Sequence, residues 1–200
     1  MSRYTGQDNY FGKTMTVLSL KDPEVMHLRF RHPAFRSASK KMLGRGQFGA
    51  AFAMSDPTRV LKLTTDSKNV GYLTERLGPQ GIHKPAVLAN YGQVGESATG
   101  LPLYLLEMER LYPVRRGTPN GLMARRITRY VSKHDRFPEE DEELAGMTPE
   151  LARFMCMLNW FWMNHQCTAD ANFSNFMERA DGTLVFSDPV FDHKLWKKHG

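Results

Sequence analysis

Hydrophobic and polar positions follow one spacing in the first half of the chain and another in the second. Up to about residue 21 the sequence is polar and glycine-containing, and reads as a loosely ordered arm. Asp22-Pro23 then offers a helix start, with Asp as N-cap and Pro in the first turn. A short helix through Val25, Leu28 and Phe30 should stop before Pro33. From Lys41 onward, KMLGRGQFGAAFAM and RVLKL, separated by Ser55-Asp56-Pro57-Thr58, read as two strands joined by a short turn. A short helix is expected over 68–79, then strands at AVLANYGQV and LPLYLLEMERL on either side of a turn at Gly95–Gly100. The second half is helical. LMARRITRYVSKH has helical spacing through Leu122, Ile127, Tyr130 and Val131. Thr148-Pro149-Glu150 opens a longer helix, whose Leu151, Phe154, Met155, Leu158 and Phe161 make a broad apolar face. Met155, Met157 and Met163 on that helix read as packing residues. A hairpin turning at Asp181-Gly182 follows. Strands first and helices afterwards is an α+β layout.

Composition narrows the class. The 200 residues (22.9 kDa) suffice for one sizeable core or two small lobes sharing a cleft. A 41% hydrophobic and 24% charged balance is that of a globular protein rather than a disordered one. No apolar run reaches the roughly 18 residues of a membrane span, and the first residues lack the apolar core of a secretory signal. Cys156 and Cys167 are the only cysteines and show no zinc-site spacing, so a reduced, cytoplasmic setting is expected. The net charge of +6 makes acidic partners plausible. Basic residues gather at Arg29, Arg31, Arg36, Lys40 and Lys41, and again at Arg115, Arg116, Arg125, Arg126 and Arg129. Without a ladder of aromatics between them they read as solvated surface before they read as a nucleic-acid footprint. The acidic run Glu139–Glu143 reads as an exposed loop or helix start.

Four features carry candidate chemistry. Gly44, Gly46 and Gly49 form a G-x-G-x-x-G pattern, in which backbone N–H groups can cradle phosphates. Dinucleotide-binding folds need a helix directly after such glycines, whereas Ala50–Met54 reads as strand. Gly12-Lys13-Thr14 is no P-loop, because Gly6 lies one position too far away. Lys62 sits inside the apolar run Val60–Leu63, and must either find an anion or point outward. Asp170 and, five positions on, Asn175 follow the long helix; Asp188 comes thirteen positions later. These are oxygen donors suited to magnesium, and each alone could equally be a turn or cap residue.

The four occur in the order, and in the predicted elements, of the protein-kinase signature set. The segments LGRGQFGAAFAMSDPTRVLKL and TADANFSNFMERADGTLVFSDP resemble the early serine/threonine protein kinases of short-tailed T-odd bacteriophages, over roughly residues 41–192. That resemblance implies a protein-kinase-like bilobal α+β fold. Its parts would be an N-terminal arm with a short helix (1–40), a strand-rich N-lobe (41–111) and a minimal, truncated helical C-lobe (112–200). The glycine loop, with Phe48 at its tip, would cover the phosphates of ATP, and Lys62 would pair with the α/β-phosphates. Asp170 would take or orient the proton of the acceptor hydroxyl, while Asn175 and Asp188 would hold Mg²⁺. Adenine would lie near Ala51 and Leu105, with backbone hydrogen bonds from the connector Met108–Leu111. Glu75 would be the partner of Lys62. Host proteins would be the substrates, in the host cytoplasm, and an acidic host protein is a candidate partner; nucleic acid and membrane are not expected.

The pattern also departs from the kinase set. Thr168-Ala169 stands where His-Arg commonly precedes the catalytic Asp, Pro189-Val190 follows Asp188, and no activation segment or Ala-Pro-Glu is present. Two further readings therefore stand beside an active protein kinase. One is a catalytically inactive kinase fold that binds and inhibits a host enzyme, and the other is a small-molecule phosphotransferase.

Overall fold

The computed structural model describes residues 18–75, 79–138 and 144–199. Helix α1 (Pro23–Arg31) starts where the Asp22 carboxylate accepts the Glu24 N–H at 2.9 Å, and α2 (Pro33–Arg36) follows at once. Val25 and Leu28 are buried, but Phe30 is 74% exposed, because its position turns it away from their stripe. The expected pair of strands is three: β1 (Ala38–Arg45), β2 (Gly49–Met54) and β3 (Arg59–Thr64). The Gly46 N–H bonds the Gly49 carbonyl at 2.9 Å and closes a turn inside what the pattern reads as one strand.

Helix α3 (Ser67–Thr74), β4 (Val87–Glu96) and β5 (Pro102–Glu109) complete a five-stranded antiparallel sheet of order β1-β2-β3-β5-β4 with a helix beside it. The short strand β6 (Tyr112–Pro113) leads to α4 (Pro119–His134), capped by Thr118, and α5 (Pro149–His165), capped by Thr148. After α5 come β7 (Thr168–Ala169), β8 (Phe176–Glu178), β9 (Leu184–Phe186), β10 (Val190–Phe191) and α6 (His193–His199). Strands β8 and β9 are the expected hairpin; β6 adds to it, and β7 pairs with β10.

The two faces of the sheet face two cores. Phe52, Leu61, Leu63, Leu103 and Leu105 pack on the outer face with Leu18, Val25, Leu28 and Phe35. Residues from 18 onward are thus not a loose arm: Leu18 is fully buried, because the apolar outer face of the sheet has to be covered. The first seventeen residues and the acidic run 139–143 lie outside the described residues. On the inner face Leu106 and Met108 meet Tyr72 of α3, Ile127 of α4, Phe154, Leu158 and Phe161 of α5, and Phe176 and Phe186 of the hairpin.

Polar ties fix the hairpin to the sheet side. The Tyr72 hydroxyl donates to the Phe186 carbonyl at 2.8 Å, and the Phe186 N–H bonds the His83 carbonyl at 2.9 Å. Arg179 of the hairpin grips both oxygens of Glu109 at 2.7 and 2.8 Å and donates to the Lys84 carbonyl at 2.9 Å. Removing the guanidinium would leave Glu109, 20% exposed, without its cation. Arg179→Met should therefore cost about 2 kcal/mol in urea unfolding, more than Glu109→Gln, which keeps a hydrogen-bond partner. Equal and negligible losses would show that the pair does not hold the hairpin.

Candidate active site

The strand-turn-helix from β3 into α3 positions one cation and its partners. On β3, Lys62 lies directly across from Ala51 on β2 and Leu106 on β5, so all three share the inner face. Its side chain is 15% exposed. The ammonium donates to Asn69 Oδ1 at 2.7 Å and lies 3.6 Å from Asp188 Oδ2. Asn69 is placed by the cap of its own helix: Asp66 Oδ1 accepts the N–H groups of Lys68 and Asn69 at 2.9 and 3.1 Å. The Thr64 hydroxyl accepts the Asp66 N–H at 3.1 Å and donates to the Phe48 carbonyl, which also takes the Thr65 N–H at 2.8 Å. The tip of the glycine loop is thereby pinned to the start of α3. A Cβ at Gly44 or Gly46 would meet nothing within 4 Å, so this edge of the loop faces open space; at Gly49 it would come within 3.1 Å of the Leu63 carbonyl.

The second group comes from the two segments flanking the hairpin. Gln166, in the left-handed region at φ 51°, ends α5 and turns the chain into β7. Pairing of β7 with β10 sets Asp170 beside Asp188, with the Asp170 N–H on the Pro189 carbonyl at 2.7 Å. The Asn175 amide donates to the Asp170 carbonyl at 3.0 Å, the Asn172 amide donates to its carboxylate, and Ser187 binds the Asn175 carbonyl through both N–H and hydroxyl.

Three carboxyl groups therefore share one neighbourhood with one lysine, and all three titrate upward. Burial, then the charge of Asp188, pushes Asp66 up to about 7 against the pull of its two N–H donors. The same two causes push Asp170 up to about 6, opposed by the Asn175 and Asn172 amides. Burial also raises Asp188, with Lys62 opposing. Its side chain nevertheless keeps 44% of its surface open and lies beside the ammonium.

The structure thus brings Lys62, Asp170, Asn175 and Asp188 together, with the loop of Gly44, Gly46, Phe48 and Gly49 joined to them through Thr64 and Thr65. Three expectations are corrected. Glu75 does not partner Lys62: at the C-terminal cap of α3, its carboxylate pairs with His165 at 2.8 Å, and Asn69 supplies the oxygen instead. Leu105 points into the outer core, and Leu106 is the inner-face residue opposite Lys62. Met108 lies on the inner face, 4% exposed, but the connector behind it is partly engaged: the Glu109 N–H bonds the Ala86 carbonyl and the Arg110 N–H the Thr58 carbonyl. Asp66, Asn69, Thr64, Thr65 and Asn172 belong to the arrangement without standing out in the sequence, although Asp66, four residues past Lys62, carries a helix-cap signal.

Among the described residues no group of three or more His, Cys, Asp or Glu side chains could hold a metal ion by itself. Asp188 and Asn175 offer two hard oxygens, a set that suits magnesium only when phosphate and water oxygens complete its octahedron. No family profile matches the chain, and no curated protein matches it. Among solved structures it is similar to the GDP complex of a mutant aminoglycoside 2'-phosphotransferase, at 12% identity over 84% of this chain and 69% of that one. The TM-score is 0.37, at which the likeness does not define a shared fold.

The raised carboxyl of Asp66 has a stability consequence whose sign is fixed. Its folded value of about 7 lies above the ordinary value of 3.8, so the folded state binds the proton more tightly than the unfolded one. The resulting penalty is absent below about pH 4, grows between about 4 and 7, and is complete above that range. Asn caps helices as well as Asp does, so Asp66→Asn should match wild type at pH 4 and exceed it at pH 8 by on the order of 2 kcal/mol. Parallel stability curves from chemical denaturation across this range would remove Asp66 from the buried carboxyl group.

Proposed function

We propose that the chain is an ATP- and magnesium-dependent phosphotransferase of protein-kinase-like fold that acts on serine and threonine hydroxyls of proteins. The observation that carries this reading is the convergence of Lys62, Asp188 and Asp170, from β3 and from either side of the hairpin, on one side of the sheet. A lysine held between a neutral amide and a carboxylate keeps its charge available for the α/β-phosphates. The open glycine edge lets backbone approach those phosphates closely. Asp188 and Asn175 Oδ1 are the residues that would hold magnesium, which supplies neutralisation of the phosphate charge when bound.

Asp170 is suited to the acceptor. With a carboxyl near 6 it is largely ionised at neutral pH, and is basic enough to take a hydroxyl proton as the new bond forms. In that step the acceptor oxygen bonds the γ-phosphorus, the bond to the β–γ bridging oxygen breaks, and ADP leaves with the electron pair. Positioning and charge neutralisation supply most of the acceleration, because phosphoryl transfer has a loose transition state. The resemblance to phage early kinases supports host proteins as acceptors.

Transfer of labelled γ-phosphate from Mg-ATP to a bacterial extract tests the reading. Wild type should label proteins, Asp170→Ala should fall by roughly a thousandfold, and Lys62→Ala should lose transfer while keeping its fold by circular dichroism. Asn69→Leu should raise KM for ATP about tenfold, with Asn69→Asp restoring it, since only the latter returns an acceptor to Lys62. A folded, ATP-binding wild type that labels no protein would move the function to a small-molecule acceptor or to binding without catalysis.

A further inference from the structure

The stretch from Tyr112 to His134 holds six cations, Arg115, Arg116, Arg125, Arg126, Arg129 and Lys133, and no Asp or Glu. That equals the net charge of the whole chain, +6. All six are exposed, and among the described residues none of them pairs with a carboxylate. Two of them are tied to backbone carbonyls, which fix their direction without adding a negative charge. Arg125 donates to the Arg116 carbonyl at 2.6 Å, and Arg126 to the Ala145 carbonyl. The turn carrying Arg115 and Arg116 lies so close to α4 that a Cβ at Gly121 would collide with the Arg115 carbonyl.

This surface is continuous with the candidate site. Thr128 of α4 donates to the Ala171 carbonyl at 2.6 Å, directly after Asp170. The Arg116 guanidinium lies over the Phe173 ring at 5.9 Å, three residues past Asp170. Away from the loop, the charged face runs into a groove of about 500 Å³ lined by Arg125, Arg129 and Lys133 together with Leu122, Tyr130 and Leu144.

We propose that this face of α4, with Arg115 and Arg116 ahead of it, docks an acidic stretch of the acceptor polypeptide, so that hydroxyls flanked by Asp and Glu are selected. The inference rests on the phosphotransferase reading of the site. From Arg125 to Lys133 the helix rises about 12 Å, which an extended peptide covers with about four residues. Guanidinium groups suit carboxylates, and the apolar lining suits the side chains of a polypeptide. A nucleic acid fits less well, because Tyr130, the groove's aromatic ring, is already stacked on His134 at 4.3 Å and has Arg136 over it at 5.5 Å.

The test uses peptides with one acceptor serine, flanked on one side or the other by four Asp/Glu or by four Gln. The readouts are kcat/KM for transfer and fluorescence anisotropy of serine-to-alanine versions. Wild type should favour an acidic peptide by about tenfold, from several exposed pairs acting together. Arg129→Gln with Lys133→Gln, which breaks no hydrogen bond among the described residues, should shrink that preference to about twofold and leave ATP hydrolysis unchanged. Arg115→Gln with Arg116→Gln should shrink the preference in the same way, and an undiminished preference would overturn the part assigned to this turn. Equal kcat/KM for acidic and neutral peptides would overturn the docking surface while leaving the phosphotransferase reading intact. Arginine-dependent binding of the acidic peptide with no transfer to any peptide would do the reverse. Displacement of the acidic peptide by a single-stranded oligonucleotide that binds more tightly would also overturn the proposal, and would assign the face to nucleic acid.

Discussion

An ammonium group on the inner face of a sheet is the constraint from which the site follows. Lys62 occupies a central strand, with Ala51 and Leu106 across from it, and only 15% of its side chain reaches solvent. A charge in that position must be answered by oxygens that the fold delivers. One comes from close by, through the Asp66 cap that places Asn69 on the first turn of α3. The other comes from Asp188, far along the chain, and reaches Lys62 only because Tyr72, His83 and Arg179 hold the hairpin against the sheet side. The same docking sets β10 beside β7, and so brings Asp170 into the group.

The charges do not balance within the protein. Asp66, Asp170 and Asp188 are each pushed toward protonation, by burial and, for the first two, by the charge of Asp188, while Lys62 is the cation that opposes this at Asp66 and Asp188. Asn69 contributes an oxygen to Lys62 without adding a fourth carboxyl group. In the proposed reaction this excess of carboxyl oxygen would favour a divalent cation arriving with its own phosphate ligands over phosphate arriving alone. Capping, hairpin docking and strand pairing thus combine into one electrostatic preference.

Much of this was legible in local sequence, and the misses have local causes. Lys62, Asp170, Asn175 and Asp188 could be read because each stands at a boundary between patterned segments. Acidic Glu75 is the partner the sequence suggests for Lys62, but α3 is short and its cap sets the helix so that position 69 faces the lysine. The phase of β5 was ambiguous because Leu103, Leu105, Leu106 and Met108 are buried on both faces, leaving no polar alternation to separate Leu105 from Leu106. Strands of two residues, such as β6, β7 and β10, have no periodicity to detect, although β7 and β10 decide where Asp170 lies. Leu18 reads as part of a loose arm because its burial depends on the sheet face it covers, which its polar neighbours do not reveal.

Calorimetric titration of ATP, with and without magnesium, into wild type and Asp188→Asn tests the assembled site most directly. The expected result is binding that strengthens at least about tenfold with magnesium in wild type and loses that gain in Asp188→Asn, because the neutral amide removes the charged oxygen beside Lys62. Binding that is indifferent to magnesium, or a magnesium effect that survives the substitution intact, would contradict the placement of Lys62, Asp188 and the metal around one nucleotide.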